Sequence, residues 1–383
     1  MKIAFISHEF PPIGGGGATS LDALSKAIAK LGHDVRVLTV GLKPNTKAFF
    51  DEDGRQLVRL SARRKSVVAP KNMELILSFL SLWMRGRRWI KDFQPDVKVG
   101  FFLFPGGLAA VLLGNVSRAP LVVSARGSDV PGFSTTRWGR WSYLGNMLAR
   151  IVLRQASLVI TNGSYLEGIV RKTVENHPTR LVKNIPNGVD TVLFHPNKNE
   201  SPNKLLRLLF VGQLIERKGI STLLDGFEKC RSLQQSCTLT VVGAGPLWRD
   251  SVQRCKSFPQ INFVGFQSRD KLPEIYRAHD VLIHLSEAEG VSNVLLEALA
   301  SGLAVVATRR AVDSSLGLPI QVLEHVDNSD GLVSALEHFL ADPERLRAEK
   351  IRNRRLAAEF DWDMQAKLWI KELNLVRTNS VQP

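Results

Sequence analysis

Short apolar runs alternate with longer stretches of helical periodicity along the first half of the chain. Apolar runs bounded by turn residues are typical of strands that are buried on both faces, as in parallel sheets. These runs predict strands at Lys2–Ser7, Asp34–Val40, Val97–Leu103, Leu121–Ala125 and Leu158–Thr161. The stretches between them predict helices at Leu21–Leu31, Met73–Phe93, Leu108–Leu113 and Trp138–Arg154.

The second half shows the same alternation. Its apolar runs predict strands at Leu206–Val211, Leu239–Val242, Asn262–Val264, Val281–Leu285 and Ala304–Ala307. Helical periodicity predicts helices at Ile220–Leu233, Pro246–Lys256, Lys271–His279 and Asn293–Ala300, then charged helices at Gly331–Leu340 and Pro343–Val376. Strands that alternate with helices in this way form parallel sheets covered by crossover helices.

The chain length and one polar stretch predict two domains. A chain of 383 residues is too long for one ordinary hydrophobic core. The stretch His195–Asn203 is rich in Pro, Asn and Lys, as linkers are. We predict a first domain at 1–190, a second at 191–360, and a C-terminal helix and tail at 361–383. Both domains are expected to be doubly wound and Rossmann-like, facing a central cleft, with the C-terminal helices packing back on the first domain.

The net charge of +15 is concentrated in the first half of the chain. Residues 1–190 hold 27 Lys and Arg against 13 Asp and Glu, whereas residues 191–383 hold 24 against 23. Such asymmetry indicates an anionic partner for the first half, which is a membrane surface, a phosphorylated acceptor or nucleic acid. A basic surface that serves only solubility is the alternative.

Basic and aromatic residues are interleaved at the end of the predicted helix Met73–Phe93. Trp83 and Trp89 alternate there with several arginines. This composition suits the headgroup zone of a lipid surface, and a core helix with a basic end is an equal alternative. Nucleic acid is disfavoured as a partner because the sequence contains no recognised nucleic-acid-binding module.

Cysteine usage and hydropathy favour a cytoplasmic location. Cys230, Cys237 and Cys255 have neither metal-ligand spacing nor the even number of a disulfide set. The most apolar stretch, 99–116, is interrupted by Pro105-Gly106-Gly107, and the N-terminal apolar run is too short for a signal peptide. The basic first half adds the inner face of the plasma membrane as an expected location.

Two glutamates, Glu289 and Glu297, flank the start of the predicted helix Asn293–Ala300. Glu289 follows the predicted strand Val281–Leu285, whereas Glu297 lies on the helix. The helical period brings the two positions to nearly the same face, at a helix N-terminus that attracts anions. Carboxylates suit sugar hydroxyls rather than phosphate, which backbone amides and nearby cations would hold. The pair therefore predicts a sugar-nucleotide site.

Three loops that follow predicted strands could approach such a ligand. Gly14-Gly15-Gly16-Gly17 allows close backbone approach but has neither dinucleotide nor P-loop spacing. Arg217 and Lys218 could neutralise a diphosphate, whose oxygens gain charge as it departs. Gly243-Ala244-Gly245-Pro246 is interpreted as a strand-to-helix turn at the same site. Taken singly, a flexible turn and a solvated basic turn remain alternatives for the first two loops.

The first half offers a second set of candidates in Arg126-Gly127-Ser128-Asp129, which follows the predicted strand Leu121–Ala125. Arg126 is predicted to contact a phosphate or sugar oxygen, and Asp129 an acceptor hydroxyl. The alternative is a turn that Asp129 caps. His8 is a weaker candidate for an acceptor contact, and His284 is expected to donate or accept a hydrogen bond near the ligand. The His, Asp and Glu residues show no metal-ligand spacing.

Together, these motifs resemble the retaining glycosyltransferase family 4, of the bacterial surface-polysaccharide type, with the two-domain glycosyltransferase-B fold. The resemblance covers nearly the whole chain, and its most specific mark is the glutamate pair. Its other elements are the glycine loop, Arg126-Gly127-Ser128-Asp129-Val130, Ile185-Pro186-Asn187-Gly188-Val189-Asp190, Phe210-Val211-Gly212 with Lys218-Gly219, and Val241-Val242-Gly243-Ala244-Gly245-Pro246.

The resemblance implies a role for each matching residue. Lys218 would bind the donor diphosphate with Arg217, Glu297 would hold the ribose hydroxyls, and Glu289 would contact the transferred sugar. Lys218, Glu289 and Arg126 form the implied catalytic set. The remaining implied donor contacts are Gly16, Gly17, Gly265, Phe266, Gly290, Val291, Ser292 and Asn293. The implied acceptor contacts are His8, Arg126 and Asp129.

The implied activity is metal-independent, retaining transfer of a sugar from a nucleoside diphosphate sugar, with a UDP-sugar favoured and no cofactor. The acceptor would be a hydroxyl of a lipid-linked or anionic glycan at an anionic membrane, as in cell-surface glycan biosynthesis. Two departures matter: family members often have arginine where Gln213 stands and histidine where Arg126 stands. Because arginine cannot act as a base at neutral pH, Arg126 would stabilise charge. A nucleotide-sugar epimerase of the same fold and an inactive sugar-nucleotide-binding protein remain the alternatives.

Overall fold

The computed structural model describes residues 1–42, 47–51, 53–67, 70–127, 129–133, 142–175, 181–197, 205–287, 289–313, 317, 321–323 and 328–379. The chain divides into two compact units. Unit 1 comprises Met1–Gly188 with Trp362–Pro383, and unit 2 comprises Val189–Asp361. The predicted first domain, 1–190, ends two residues beyond Gly188, where the first segment of unit 1 ends, and the predicted C-terminal segment, 361–383, begins one residue before Trp362.

Unit 1 is built on an eight-stranded sheet. Its strands are β1 Lys2–Ile6, β2 Asp34–Gly41, β3 Lys47–Phe50, β4 Gln56–Ser61, β5 Val97–Phe101, β6 Leu121–Ser124, β7 Leu158–Thr161 and β8 Leu181–Asn184. The order across the sheet is β3-β4-β2-β1-β5-β6-β7-β8, and every pair is parallel except β3 with β4. The central strands are buried on both faces, which is why they appear in the sequence as nearly continuous apolar runs.

Helices cover both faces of this sheet. They are α1 Gly16–Lys30, α2 Asn72–Leu80, α3 Gly86–Phe93, α4 Leu108–Leu112, α5 Ser142–Gln155 and α6 Ser164–Thr173. A π-helical turn at Ser81–Arg85 joins α2 to α3, so the predicted helix Met73–Phe93 is continuous but locally widened. The start of the predicted helix Trp138–Arg154, residues 138–141, lies outside the described residues.

Unit 2 is built on a six-stranded parallel sheet. Its strands are β9 Leu206–Val211, β10 Cys237–Val242, β11 Ile261–Gly265, β12 Val281–His284, β13 Ala304–Thr308 and β14 Gln321–Leu323. Its helices are α7 Ile220–Lys229, α8 Arg231–Ser236, α9 Trp248–Arg254, α10 Leu272–Arg277, α11 Asn293–Ala300, α12 Ser329–Ala341 and α13 Pro343–Ala357. The strand order is β11-β10-β9-β12-β13-β14, with a core on each face of the sheet. Both units are therefore Rossmann-like α/β domains, as predicted.

The C-terminal helix α14, Trp362–Asn379, belongs to unit 1. It packs beside α1 and buries Trp369 and Leu373 against the sheet. The predicted long helix Pro343–Val376 is wrong in one respect, because it is broken at Ala358–Asp361. Only its second part covers unit 1, whereas α13 packs on α11 in unit 2.

The interleaved tryptophans of the α2–α3 segment do not form a lipid-facing row. Trp83 and Trp89 are partly buried and pack against the core of unit 1, whereas Met84, Arg87 and Arg88 are exposed. The tryptophans therefore belong to a core helix, which was the alternative to a lipid-facing one, and the arginines form a basic surface beside them. Within the described residues, no helix has the length and apolar character needed to cross a bilayer.

Candidate functional site

The strand order of unit 2 reverses between β9 and β12. From these two adjacent strands the chain builds β10 and β11 on one side and β13 and β14 on the other. In open α/β sheets, such a reversal separates the loops at the carboxyl ends of the two strands and opens a crevice there. The loops that follow β9 and β12 carry Lys218 and Glu289, respectively.

Backbone hydrogen bonds fix these loops to their neighbours. Lys218 ends a short 3₁₀ turn, and Gly219 follows it with a φ of 70°, in the left-handed region that favours glycine. The amide of Glu287 donates to the carbonyl of Arg217 at 3.0 Å, which joins the loop after β12 to the loop after β9. The amide of Glu289 donates to the carbonyl of Arg310 at 3.0 Å.

Two cations converge on the carboxylate of Glu289. Lys218 Nζ forms an ion pair with Glu289 Oε1, and Arg217 Nη1 lies 3.8 Å from the same oxygen. Burial alone would raise the pKa of Glu289, but Lys218, His284 and Arg217 together bring that pKa below its ordinary value. Glu289 is therefore ionised at neutral pH and compensates the charge of Lys218.

His284 lies at the end of β12, beside this ion pair. Its side chain is buried, and its Nε2 has no hydrogen-bond partner among the described residues. Burial, reinforced by the charge of Lys218, lowers the pKa of His284 to about 4, against the opposing effect of Glu289. The imidazole is therefore neutral at physiological pH and can exchange a hydrogen bond with a ligand.

Glu297 has a different environment from Glu289. It lies in the second turn of α11 and is 7% exposed, and its Oε2 accepts a hydrogen bond from the hydroxyl of Tyr276 at 3.1 Å. Burial raises the pKa of Glu297 to about 7, although Arg269 and the Tyr276 hydrogen bond act in the opposite direction. The two glutamates thus differ in charge compensation: one is ion-paired and the other is held by a neutral phenol.

The start of α11 lies between these two carboxylates. Ser292 occupies the N-cap position without a side-chain capping bond, and Asn293 is the first helical residue. Gly290 lies in the preceding loop, and the side chain of Val291 is buried in the core, so this residue can offer a ligand only its backbone. The described first turn of α11 carries no acidic side chain, and the positive end of the helix dipole lies between the two carboxylates.

The glycines after β10 serve packing between neighbouring loops. A Cβ on Gly243 would lie 1.8 Å from the carbonyl oxygen of Gly212, so only glycine fits where the two loops cross. Gly265, predicted to lie by the nucleobase, ends β11 with a φ of 72°. Its neighbour Phe266 is 75% exposed, and an exposed aromatic ring is available for stacking on a base.

In unit 1, Arg126 lies directly after β6 in a buried setting. Its guanidinium carbon is 4.2 Å from the ring centroid of Phe101, and its Nη1 donates to Asn187 Oδ1 at 2.5 Å. Nε is buried without a hydrogen-bond partner among the described residues. Burial lowers the pKa of Arg126 to about 9, and Asp129 opposes that shift. The group remains a cation at neutral pH, and no carboxylate oxygen of the described residues contacts it.

Asp129 stabilises the turn that contains Arg126 through two hydrogen bonds. Its Oδ1 accepts from the amide of Arg126 at 3.0 Å, and its Oδ2 accepts from the amide of Leu103 at 2.7 Å. The side chain is only 3% exposed. This geometry matches the turn-capping alternative, and an acceptor contact of Asp129 stays a prediction.

His8 and the glycine loop pack around Phe102, which follows β5 with a φ of 70°. A Cβ on Gly17 would lie 2.4 Å from Cζ of Phe102, so this glycine makes room for the ring. His8 is fully buried and lies edge-on to the same ring at 5.0 Å, with its Nε2 3.4 Å from Glu9 Oε1. Gly16 and Gly17 open α1, and their contact with a ligand remains a prediction.

The structure thus brings Arg217, Lys218 and Glu289 together in unit 2, as the sequence predicted, with His284 beside them. Sequence reasoning missed Tyr276, although a tyrosine on the apolar face of an amphipathic helix is a signal for a buried hydrogen bond. It also missed Phe102, whose backbone strain no sequence pattern indicates.

Among the residues that the structure describes, His, Cys, Asp and Glu form no group of three placed to hold a metal ion. Metal independence stays a prediction.

Two family profiles match the two halves of the chain. The family described as "Glycosyltransferase Family 4" matches residues 14–193, and the family described as "Glycosyl transferases group 1" matches residues 206–342. The two matched regions fall largely in unit 1 and unit 2, respectively. Both matched families are families of glycosyltransferases.

A curated relative agrees with this assignment. The chain is 26% identical over 400 residues to the GDP-mannose-dependent alpha-(1-6)-phosphatidylinositol monomannoside mannosyltransferase of Mycobacterium tuberculosis, covering 96% of this chain and 97% of the relative. Together with the domain matches, this similarity supports glycosyl transfer as the class of activity.

Solved structures share the fold over the full length. Sucrose-phosphate synthase from Thermosynechococcus elongatus superposes with a TM-score of 0.86 at 20% identity, covering 99% of this chain and 100% of that chain. Anabaena HepE in complex with UDP-glucose superposes with a TM-score of 0.74 at 18% identity, covering 98% and 100%. The fold is therefore that of the glycosyltransferase-B enzymes.

Proposed function

We propose that the protein is a retaining glycosyltransferase that moves a sugar from a nucleoside diphosphate sugar to a hydroxyl group of a cell-surface glycan precursor. The observation that carries this proposal is the ion cluster of Lys218, Arg217 and Glu289 at the strand reversal of unit 2. It combines a cation for phosphate with a carboxylate for sugar hydroxyls in one crevice.

In this proposal, the donor diphosphate replaces Glu289 as the partner of Lys218. A diphosphate carries more charge than one carboxylate, so it competes well for the ammonium group. Glu289 is then available to accept hydrogen bonds from the transferred sugar. Lys218 and Arg217, with the amides at the start of α11, stabilise the charge that builds on the leaving diphosphate. The bond between the anomeric carbon and the diphosphate oxygen breaks while the acceptor hydroxyl attacks from the same face, and the hydroxyl proton passes to the departing phosphate oxygen. No metal is required for this step.

Glu297 is assigned to the ribose of the donor. Its buried carboxylate on the second turn of α11 can accept from adjacent hydroxyls, and the exposed ring of Phe266 offers a surface to the base. We favour uridine as the base. The names of similar proteins point to two bases, since the mycobacterial relative is GDP-mannose-dependent and HepE was solved with UDP-glucose.

A donor screen tests the proposal. Purified protein is heated with UDP-, GDP- and ADP-sugars, because a ligand that binds the folded state raises the melting temperature. The stabilising donor is then incubated with and without membrane extract, and the anomeric configuration of the product is read by NMR. Transfer with retention supports the proposal. Formation of an epimeric sugar product from the donor without an acceptor would establish the epimerase, and donor binding without hydrolysis, epimerisation or transfer would establish the inactive binding protein.

The basic unit 1 supports an anionic acceptor. Arg126 keeps its Nε–H free of partners among the described residues, and the side-on edge of a guanidinium matches a carboxylate or phosphate. Because a buried cation without an anion is costly, an acidic group of the acceptor would stabilise this site. A lipid-linked phosphate and an acidic sugar both fit this chemistry.

The exposed surface of α5 supports attachment to an anionic membrane. Leu144, Met147 and Ile151 are exposed at helical spacing, and Arg150 and Arg154 are exposed beside them. Apolar side chains flanked by cations suit the boundary between lipid headgroups and acyl chains. We expect binding to vesicles that contain anionic lipid, weakened by salt and by Met147→Asp. Equal binding to neutral vesicles, or no binding, would remove the membrane from the proposal.

A further inference from the structure

Tyr276 is buried directly beneath Glu297. It lies on α10, its side chain has no exposed surface, and its hydroxyl is 3.1 Å from Glu297 Oε2 and 3.4 Å from the carbonyl oxygen of Val294. Phe194 packs edge-on against its ring at a centroid distance of 5.7 Å. The phenol is therefore held in place by packing and reaches both the side chain and the backbone of α11.

The phenol can act on the carboxylate only as a hydrogen-bond donor. Burial, followed by the charge of Glu297, raises the pKa of Tyr276 well above its ordinary value, so the hydroxyl keeps its proton at neutral pH. A donated hydrogen bond favours the ionised form of a carboxylate, and Arg269 favours the same form. These groups oppose the burial that would otherwise leave Glu297 protonated.

Geometry divides the two oxygens of Glu297 between protein and ligand. Oε2 is engaged by Tyr276, and the hydrogen bonds of the described residues leave Oε1 of Glu297 without a protein donor. Hydrogen bonds to charged groups are the strongest of the ordinary kind, and a carboxylate with one anchored oxygen has a fixed orientation. The ionised form accepts hydrogen bonds from hydroxyl groups more strongly than the protonated form, whose O–H is itself a donor.

We infer that Tyr276 is a positioning residue that orients Glu297 and keeps it ready to accept hydrogen bonds from the ribose of the donor. This inference rests on the proposed function, because it takes the ribose as the ligand of Glu297. Tyr276 does not itself touch the donor; it acts through the carboxylate. The reaction class that it serves is set by Lys218 and Glu289, and the contribution of Tyr276 is selectivity for a ribonucleotide.

The test compares a nucleoside diphosphate with its 2′-deoxy counterpart by calorimetry, using the base that stabilises the wild-type protein best. We expect the wild type to prefer the ribonucleotide, and Tyr276→Phe to reduce that preference about tenfold, since one hydrogen bond to a charged group is removed. The pH midpoint of ribonucleotide binding should move upward in this variant, because the carboxylate loses a donor.

Two further variants separate positioning from structural damage. In Glu297→Gln, the additional change Tyr276→Phe should alter the preference little, because the group through which Tyr276 acts is gone. Asn353→Ala removes a different buried hydrogen bond, from Asn353 Nδ2 to the carbonyl of Leu303 at 2.8 Å. It should lower the melting temperature without changing the preference or the pH midpoint.

The outcomes distinguish the inference from the proposed function. If Tyr276→Phe keeps the wild-type preference and midpoint, the inference is overturned while the donor assignment stands. If the wild-type protein binds nucleoside diphosphates without regard to the 2′-hydroxyl, Glu297 is not the ribose ligand and the inference falls with that assignment. If no nucleoside diphosphate binds, the proposed function itself is refuted.

Discussion

The carboxyl ends of the two sheets carry cations in opposite situations. In unit 2, Lys218 is neutralised by Glu289. In unit 1, Arg126 is buried against Phe101 and Asn187, and its guanidinium contacts no carboxylate of the described residues. A cation that is paired within the protein can leave its partner and bind an incoming anion. A buried cation that contacts no carboxylate is stabilised when an anion binds beside it. In the proposed function, this difference corresponds to a donor diphosphate that binds at unit 2 and an acidic group of the acceptor that binds at unit 1.

Removing the cation of unit 2 is the most severe way to disrupt this arrangement. We expect Lys218→Ala to lower kcat by about 100- to 1,000-fold, the usual cost of losing one group that stabilises transition-state charge. Lys229→Ala removes an exposed lysine from the end of α7 in the same unit and serves as the matched control. The measurement is steady-state transfer with the donor found by the screen. Equal turnover in the two variants would exclude Lys218 from the leaving-group site.

The second expected effect separates the two glutamates by pH. Glu289 is ionised throughout the neutral range, whereas burial raises the pKa of Glu297 to about 7. If the ionised form of Glu297 accepts from the ribose, donor affinity should rise as pH increases through 7 and fall by up to about tenfold for each unit below it. Glu297→Gln should flatten the profile. A wild-type profile that is flat between pH 6 and 8 would contradict this assignment.

The smallest expected effect concerns Arg126. Arg126→Lys keeps a charge but loses the planar fork, so we expect about a tenfold rise in KM for an acidic acceptor and little change for a neutral analogue. Kinetics with the acceptor before and after chemical neutralisation of its acidic group provide the measurement. An equal loss for both acceptors would show that Arg126 does not recognise the acidic group.

How well the sequence predicted each element depends on how far apart in the sequence its stabilising contacts lie. The strand β9 was predicted with its observed bounds because its apolar run is buried on both faces. The strands β4 and β8 were missed because polar residues interrupt their apolar runs, Arg59 in β4 and Lys183 in β8. The helix break at Ala358–Asp361 depends on contacts distant in sequence: Val189 donates to the carbonyl of Phe360, and Thr191 donates to Asp361 at 2.6 Å.

The same distinction holds at the candidate site. Lys218 and Glu289 each follow a predicted strand, so the rule for parallel sheets was enough to bring them to one edge. The partners of Glu297 and Gly17 were not predictable in this way. Tyr276 and Phe102 reach them from other elements, and their positions depend on how the helices pack.

The most direct measurement of the central claim is the affinity of the protein for a nucleoside diphosphate and for the corresponding nucleoside, by calorimetry, in wild type and Lys218→Ala. In the proposed function, Lys218 leaves Glu289 and binds the diphosphate. The variant should therefore bind the diphosphate at least about tenfold more weakly, because a charge-assisted contact is lost. Its affinity for the nucleoside should remain unchanged. Equal diphosphate affinity in the two proteins would contradict the claim.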